Sequence, residues 1–338
     1  MNGLTTNSLF NNMTTALKAL CVQKEQHTNS LSTNLSRNFS FDSACLADAR
    51  EKKHLVSTKC SRSNPNHYTL RLTPFNNFIT QKAQSSIPAF TNEVAGAVAT
   101  LDIQKEQFEV GGGGAYIYNH THASQMASLN INQEMLVAYS SWQNQTFFVD
   151  ATCWGGFYQL HGVRKTQGTP TGHFRTHGYT LSPHVEFRAE LPFICSMEAL
   201  AMVDWINQWQ CHYVEHSSLD FRLNVPKTYG SLLRSEIGLR FCQLYCFGWG
   251  NIEILEKASY VNQLPFQKSV ASALLIGASP FLSVGAGSLS TQNLGAAEFR
   301  FSFLSHHPKM PFFILDLQGE FGSKLQSYFA AVQIGKEI

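Results

Sequence analysis

Glu298-Phe-Arg-Phe-Ser-Phe303, Phe313-Ile-Leu-Asp-Leu-Gln-Gly-Glu-Phe321 and Ser327-Tyr-Phe-Ala-Ala-Val-Gln-Ile334 close the chain, and their reading decides the fold. Phe299, Phe301 and Phe303 share one parity and Glu298, Arg300 and Ser302 the other. In the second stretch Phe313, Leu315, Leu317 and Phe321 alternate with Asp316, Gln318 and Glu320. Tyr328, Ala330, Val332 and Ile334 then oppose Ser327 and Gln333. Period two means strands with one apolar and one polar face. A soluble barrel fills its inside with apolar groups. An apolar face turned to lipid and a charged face turned to an aqueous interior is the pattern of a transmembrane β-barrel.

Composition agrees. Only 14% of the 338 residues are charged and 12% are aromatic, 25 of them Phe; a soluble chain averages about 25% charged. No stretch approaches the ~18 consecutive apolar residues of a spanning helix. A net charge of +2 without a Lys/Arg run gives no reason to expect a nucleic-acid partner. The eight cysteines lack Cys-x-x-Cys spacing, so no metal or other cofactor is expected. Cys242 and Cys246 flank an expected turn and are the first pair to consider for a disulfide.

The sequence changes character near residue 66. Residues 1–65 are rich in Asn, Ser, Thr and Lys, and Leu9, Phe10, Met13, Ala16, Leu17 and Leu20 predict an amphipathic helix over Ser8 to Val22. Residues 1–30 do not read as a secretory signal, so the expectation is either a fragment of a longer precursor or a start that is lost or misassigned. From residue 66 onward strands dominate. Tyr68, Leu70 and Leu72 alternate with Thr69, Arg71 and Thr73 up to Pro74. Met135, Val137 and Tyr139 share one face, and Leu181, Val185, Phe187 and Ala189 oppose Ser182, His184, Glu186, Arg188 and Glu190. Thr166 to Arg175 and Val214 to Thr228 read as loops. The expectation is all-β, a closed antiparallel transmembrane barrel of about twelve strands over 66–338, with the N-terminal helix in or near its lumen.

The candidate lumen-facing residues are Glu186, Arg188, Glu190, Arg234, Glu236, Arg240, Glu298, Arg300, Asp316 and Glu320. They suit a hydrated wall that pairs its own charges. The bland alternative is the wet outside of a soluble β-sandwich. Gly111 to Gly114 is no phosphate loop, because no Gly-Lys-Ser/Thr follows; it marks a strand bend or a close approach of the helix. His120/His122, His173/His177 and His306/His307 read as exposed loop histidines. Asn119-His120-Thr121 matches a glycosylation acceptor, and Asn11-Asn12 is a weak candidate for self-cleavage.

Tyr68 to Phe75, Gly113 to Tyr118, Gly178 to Glu186, Leu233 to Arg240 and the closing strand together resemble the autotransporter β-domain (type V secretion). The likeness extends to the polymorphic outer-membrane proteins of chlamydiae and their relatives. The resemblance implies an outer-membrane translocator that exports an N-terminal passenger, with residues 1–65 as passenger remnant and linker. Its implied partners are outer-membrane lipid, the barrel-assembly machinery and the chain's own passenger, and no catalysis is implied. An outer-membrane channel with an N-terminal plug is the alternative.

Overall fold

The computed structural model describes residues 67–337 except 84–88, 106, 124–126, 145, 167–168, 192–196, 218–221, 248, 267–271, 277–282, 286–290 and 306–309, and upstream Thr15 and Lys18. Seventeen strands are described: β1 (His67–Gln81), β2 (Phe90–Lys105), β3 (Phe108–Ala123), β4 (Ala127–Gln143), β5 (Phe147–Thr166), β6 (Thr169–Glu190), β7 (Met197–Gln210), β8 (Tyr213–Val214), β9 (His216–Ser217), β10 (Arg222–Val225), β11 (Thr228–Phe247), β12 (Gly250–Pro265), β13 (Ser272–Ile276), β14 (Ser283–Gly285), β15 (Gln292–Ser305), β16 (Phe312–Phe321) and β17 (Leu325–Glu337). The long strands form one antiparallel sheet, β5-β4-β3-β2-β1-β17-β16-β15-β12-β11-β7-β6, and β5 pairs with β6 to close it. Twelve strands thus make a closed barrel. Closure leaves no open sheet edge, which is what a hydrocarbon environment demands of a β-structure. It also overturns the β-sandwich alternative.

The chain enters and leaves the barrel at one end, where Thr69 faces Glu337. Connections at that end are mostly short: β2 stops at Lys105 and β3 starts at Phe108, and β11 stops at Phe247 before β12 starts at Gly250. At the opposite end β7 stops at Gln210 before β11 starts at Thr228, and β12 stops at Pro265 before β15 starts at Gln292. These two connections supply β8, β10, β13 and β14, which pair into a separate four-stranded sheet. That end also holds short turns, between β3 and β4 for example, but the longest connections are all there, the asymmetry of outer-membrane barrels, whose long loops lie outside.

Pro74 and Pro183 sit in mid-strand, and each interrupts pairing on one side only. β1 meets β17 at Leu72 and again from Phe75, while its ladder with β2 runs through Pro74 unbroken. β6 meets β7 at Leu181 and again at His184, around Pro183. A missing N–H explains such gaps. β1 therefore continues past Pro74, which the sequence reading took as its end. Thr169 onward likewise belongs to β6, where a loop over 166–175 was expected.

Aromatic side chains band the outside. The Phe147–Phe187 ring pair (5.7 Å) lies toward the end that holds the chain's entry and exit, and the Phe157–Tyr179 pair (5.7 Å) lies toward the other. Phe157 follows Phe147 by ten positions on β5. At ~3.4 Å per residue and ~40° tilt this separates the bands by about 25 Å, the height of a lipid-facing belt. Between them Leu181, Val185, Ile237, Leu239, Phe299 and Leu317 are exposed.

The interior is mixed where the sequence reading expected a polar face throughout. Trp154, Ile117, Val98, Met135, Val137, Tyr139 and Phe329 bury together inside, while Leu136 faces out at 73% exposure. Each such buried side chain contributes about 1.5–3 kcal/mol. A second inner cluster, at the long-loop end, joins Leu129, Ile131, Tyr158, Leu160 and Phe174 to Tyr213 and Val225 of the short strands. Phe174 stacks on Tyr213 with ring centroids 4.6 Å apart.

Candidate functional site

Inward parity on β7, β11, β12, β15 and β16 brings a chain of opposite charges onto one wall. Arg234 is its hub: Nη1 donates to Asp204 Oδ2 at 3.1 Å, and Nη2 donates to Glu236 Oε2 at 2.6 Å and to Glu320 Oε1 at 3.0 Å. Lys257 Nζ continues the chain, 3.3 Å from Glu236 Oε1 and 2.8 Å from Glu298 Oε2. Arg300 then bonds Glu298 Oε1 at 2.7 Å and, through Nε, Asp316 Oδ2 at 2.7 Å. His184 bonds Asp204 through Nδ1. All these groups are at least nine-tenths buried except Lys257. Each buried charge has a counter-charge within hydrogen-bond reach, without which burial would be prohibitive.

Two residues from upstream enter this setting. Lys18 Nζ lies 3.0 Å from Glu320 Oε1, and both side chains are buried. Thr15 Oγ1 accepts from Asn77 Nδ2 at 2.7 Å, and Asn77 Oδ1 in turn accepts from Ser327 Oγ at 2.9 Å. The space left among Lys18, His184, Arg234, Glu236, Lys257 and Glu298 is small, about 30 Å³. The remainder of the helix expected over Ser8 to Val22, Asn11-Asn12 included, lies outside the described residues.

The ten residues singled out by parity divide in space. Arg234, Glu236, Glu298, Arg300, Asp316 and Glu320 join the cluster above. Glu186, Arg188 and Arg240 form a second group nearer the chain's entry: Arg188 Nε is 3.1 Å from Glu186 Oε1, and Arg188 also covers the Phe148 ring at 3.7 Å. Arg240 Nε is 3.7 Å from Glu198 Oε2. Glu190 is half-buried at the end of β6. A third group, Arg71 with Asp102 at 3.1 Å and Glu109 at 3.5 Å, was missed, as were Asp204, His184 and Lys257 as members. The signal was present: Arg71 lies between Leu70 and Leu72, and Asp204 between Val203 and Trp205.

Other expectations are corrected. Cys242 and Cys246 lie on one strand, β11, opposite Leu255 and Asn251, so no turn folds one back on the other; Cys242 is free. Asn119 is fully buried and points inward, closed to glycosylation. His120, His122, His173 and His177 are on strands, not loops; His306 and His307 lie outside the described residues. The glycine run packs against the barrel's own wall. A Cβ on Gly111 would stand 2.4 Å from the Tyr139 ring, and one on Gly113 2.0 Å from the Ala99 carbonyl oxygen.

A twelve-stranded closed barrel with lipid-facing aromatic bands and a paired, charged interior is a transmembrane barrel of the outer-membrane type. The chain belongs to the autotransporter β-domain family, whose model matches residues 71–303. No curated protein matches the sequence. Among solved structures it is similar to the translocator domain of the autotransporter NalP from Neisseria meningitidis. That match has a TM-score of 0.63 at 10% identity and covers 95% of this chain and 97% of that one. It is also similar to the β-domain of the Bordetella autotransporter BrkA, with a TM-score of 0.55 at 14% identity, 80% of this chain and 99% of that one. The transport unit of AIDA-I from Escherichia coli gives a TM-score of 0.50 at 13% identity, over 90% and 97%. The chain is therefore an outer-membrane translocator domain, a transport and anchoring unit that serves an attached passenger.

Proposed function

We propose that residues 66–338 hold the protein in the outer membrane while residues 1–65, the end of a passenger and its linker, run through the barrel toward the long-loop end. The observation that carries this reading is the burial of Thr15 and Lys18 against Asn77 and Glu320. A helix over Ser8 to Val22 would put these two residues about one turn apart on the same face. In this reading Glu186, Arg188, Glu190, Arg234, Glu236, Arg240, Glu298, Arg300, Asp316 and Glu320 wall the lumen. Their ion pairs keep the wall rigid and wet enough for an extended or helical segment to pass. The work is physical, and no residue is assigned a catalytic role.

The barrel-assembly machinery that inserts the strands and the lipid that covers them are the further partners in this proposal. A narrower kinship with the chlamydial polymorphic outer-membrane proteins rests on the five sequence motifs alone. The test is a folded reporter fused upstream of residue 1 in a chain with an export signal. Protease added to intact cells is expected to release the reporter. A reporter protected until the outer membrane is permeabilised overturns the proposal.

A further inference from the structure

Immediately beyond the Phe157–Tyr179 band, the outside of β5 and β6 turns basic. Arg175 lies directly across from His161, and Gln159 lies across from His177. His173, two positions from Arg175 on the same face, lies across from His216 of β9. Arg175, His173, His177 and His216 are exposed, and His161 is half-exposed. The other arginines whose side chains are described, Arg71, Arg164, Arg188, Arg234, Arg240 and Arg300, are turned inward and paired with carboxylates. Arg175 alone faces out, with no ion-pair partner among the described residues. Glu215, one residue before His216, is turned inward, where Arg164 Nε and Nη2 hold its two oxygens at 2.8 and 3.0 Å.

Directly below this patch the lipid-facing wall is hollowed. Gly114, Gly155, Ala97 and Ala99 floor an open groove of about 1070 Å³, whose sides include Leu136, Phe157, Tyr179, Leu181 and Trp209, with Glu134 as the one charged side chain on its lining. Phe157 and Tyr179 bridge the two features, since the His177 ring packs 5.9 Å from that of Phe157. A guanidinium presents a planar fork of donors that matches a phosphate, and imidazoles add further N–H donors. Farther round the barrel, on β12 and β15, the positions beyond Tyr260 are the neutral amides Asn262 and Asn293, bonded to each other at 2.7 Å.

We propose that Arg175, with His161, His173, His177 and His216, seats the phosphate of an outer-leaflet lipid whose acyl chain lies in the groove beneath. The occupant is an acylated phosphate. The patch supplies the charge and the groove supplies the apolar contact, within one lipid's length of each other. The seat fixes the height of the barrel in the membrane on its β5–β6 side. It rests on the proposed membrane embedding of a closed barrel, whose closure a heat-dependent mobility shift tests independently of any lipid.

The experiment uses the full chain, refolded in a zwitterionic detergent and checked for that shift, with lipid retention read by native mass spectrometry. The probes are dioleoyl phosphatidic acid, dioleoylglycerol and inorganic phosphate. Phosphatidic acid is expected to be retained over dioleoylglycerol, and millimolar inorganic phosphate is expected not to displace it. Arg175→Gln should lower retention about fivefold, the effect of one basic residue at a charged membrane surface, and adding His161→Gln should lower it further. Asn293→Ala, farther round the barrel, should leave it unchanged. Equal retention by native chain and Arg175→Gln overturns the seat. Equal retention of dioleoylglycerol, or displacement by inorganic phosphate, overturns the acylated-phosphate assignment.

Discussion

Lys18 Nζ stands 3.0 Å from Glu320 Oε1 inside the barrel, joining two residues that are 302 positions apart in the chain. Arg234 already reaches the same carboxylate oxygen. Lys18 is thus the cation that completes a wall otherwise rich in carboxylates: Asp204, Glu236, Glu298, Asp316 and Glu320 are met from the barrel by Arg234, Lys257 and Arg300. The upstream segment and the wall hold each other.

Removing that cation should loosen the segment. Breaking one partner of a buried pair costs roughly 3–5 kcal/mol, because the other charge is left uncompensated. Lys18→Ala is expected to raise the conductance of the full chain in planar bilayers, and Glu320→Gln should do the same. Conductance unchanged in both would mean that the contact does not hold the segment.

Arg300 separates Glu298 from Asp316, donating to both. Arg300→Met leaves two buried carboxylates facing each other and is expected to lower the temperature at which the barrel loses its compact gel mobility. The double change Arg300→Met with Asp316→Leu should recover part of the loss, since replacing both members of a buried pair by apolar groups is far milder than removing one. The readout is the gel midpoint of each variant against the native chain.

The adjacent glycines of β3 give a paired test of wall packing. A Cβ at Gly113 would meet backbone 2.0 Å away, whereas at Gly114 the nearest atom is the Met135 carbonyl oxygen at 3.4 Å. Gly113→Ala should fold poorly or melt well below the native barrel. Gly114→Ala, pointing outward, should lie within about 0.5 kcal/mol of it, as surface changes do. Urea unfolding of refolded protein in lipid vesicles separates the two.

Glu256 is exposed on the lipid-facing side of β12, with Phe241 on one neighbouring strand and Phe299 on the other. A carboxylate in that belt is unfavourable, though less so than the ~2–4 kcal/mol of a basic residue at the midplane. Glu256→Leu is therefore expected to stabilise the barrel in vesicles by up to about 2 kcal/mol. A destabilised variant would point to a role for this carboxylate beyond packing.

Much of this was legible in the sequence because charge and parity coincide there. On β6, β11 and β15–β17 most outward residues within the lipid-facing belt are apolar and the inward ones include Glu186, Arg188, Arg234, Arg240, Arg300 and Asp316, so alternation sorts them. β4 defeats the same reasoning. Met135, Val137 and Tyr139 pack inward against Trp154 and Ile117, while Glu134 faces out among aromatic rings. Period two separates two faces but does not say which faces lipid when the interior holds an apolar cluster. The start of β6 was hidden for a different reason. Beyond the outer aromatic band both faces are no longer set by lipid, so His173 and Arg175 carry no apolar alternation. The contacts of Lys18 and Thr15 were beyond reach, since partners so remote in sequence leave no local pattern.

The central claim is that this chain closes into a membrane barrel. The most direct measurement is the mobility of the detergent-refolded full chain on a denaturing gel, boiled against unboiled. The closed ladder from β1 to β17 and from β5 to β6 predicts a compact, faster-migrating species that converts on heating. Identical mobility before and after boiling, with solubility in plain buffer, would contradict the account.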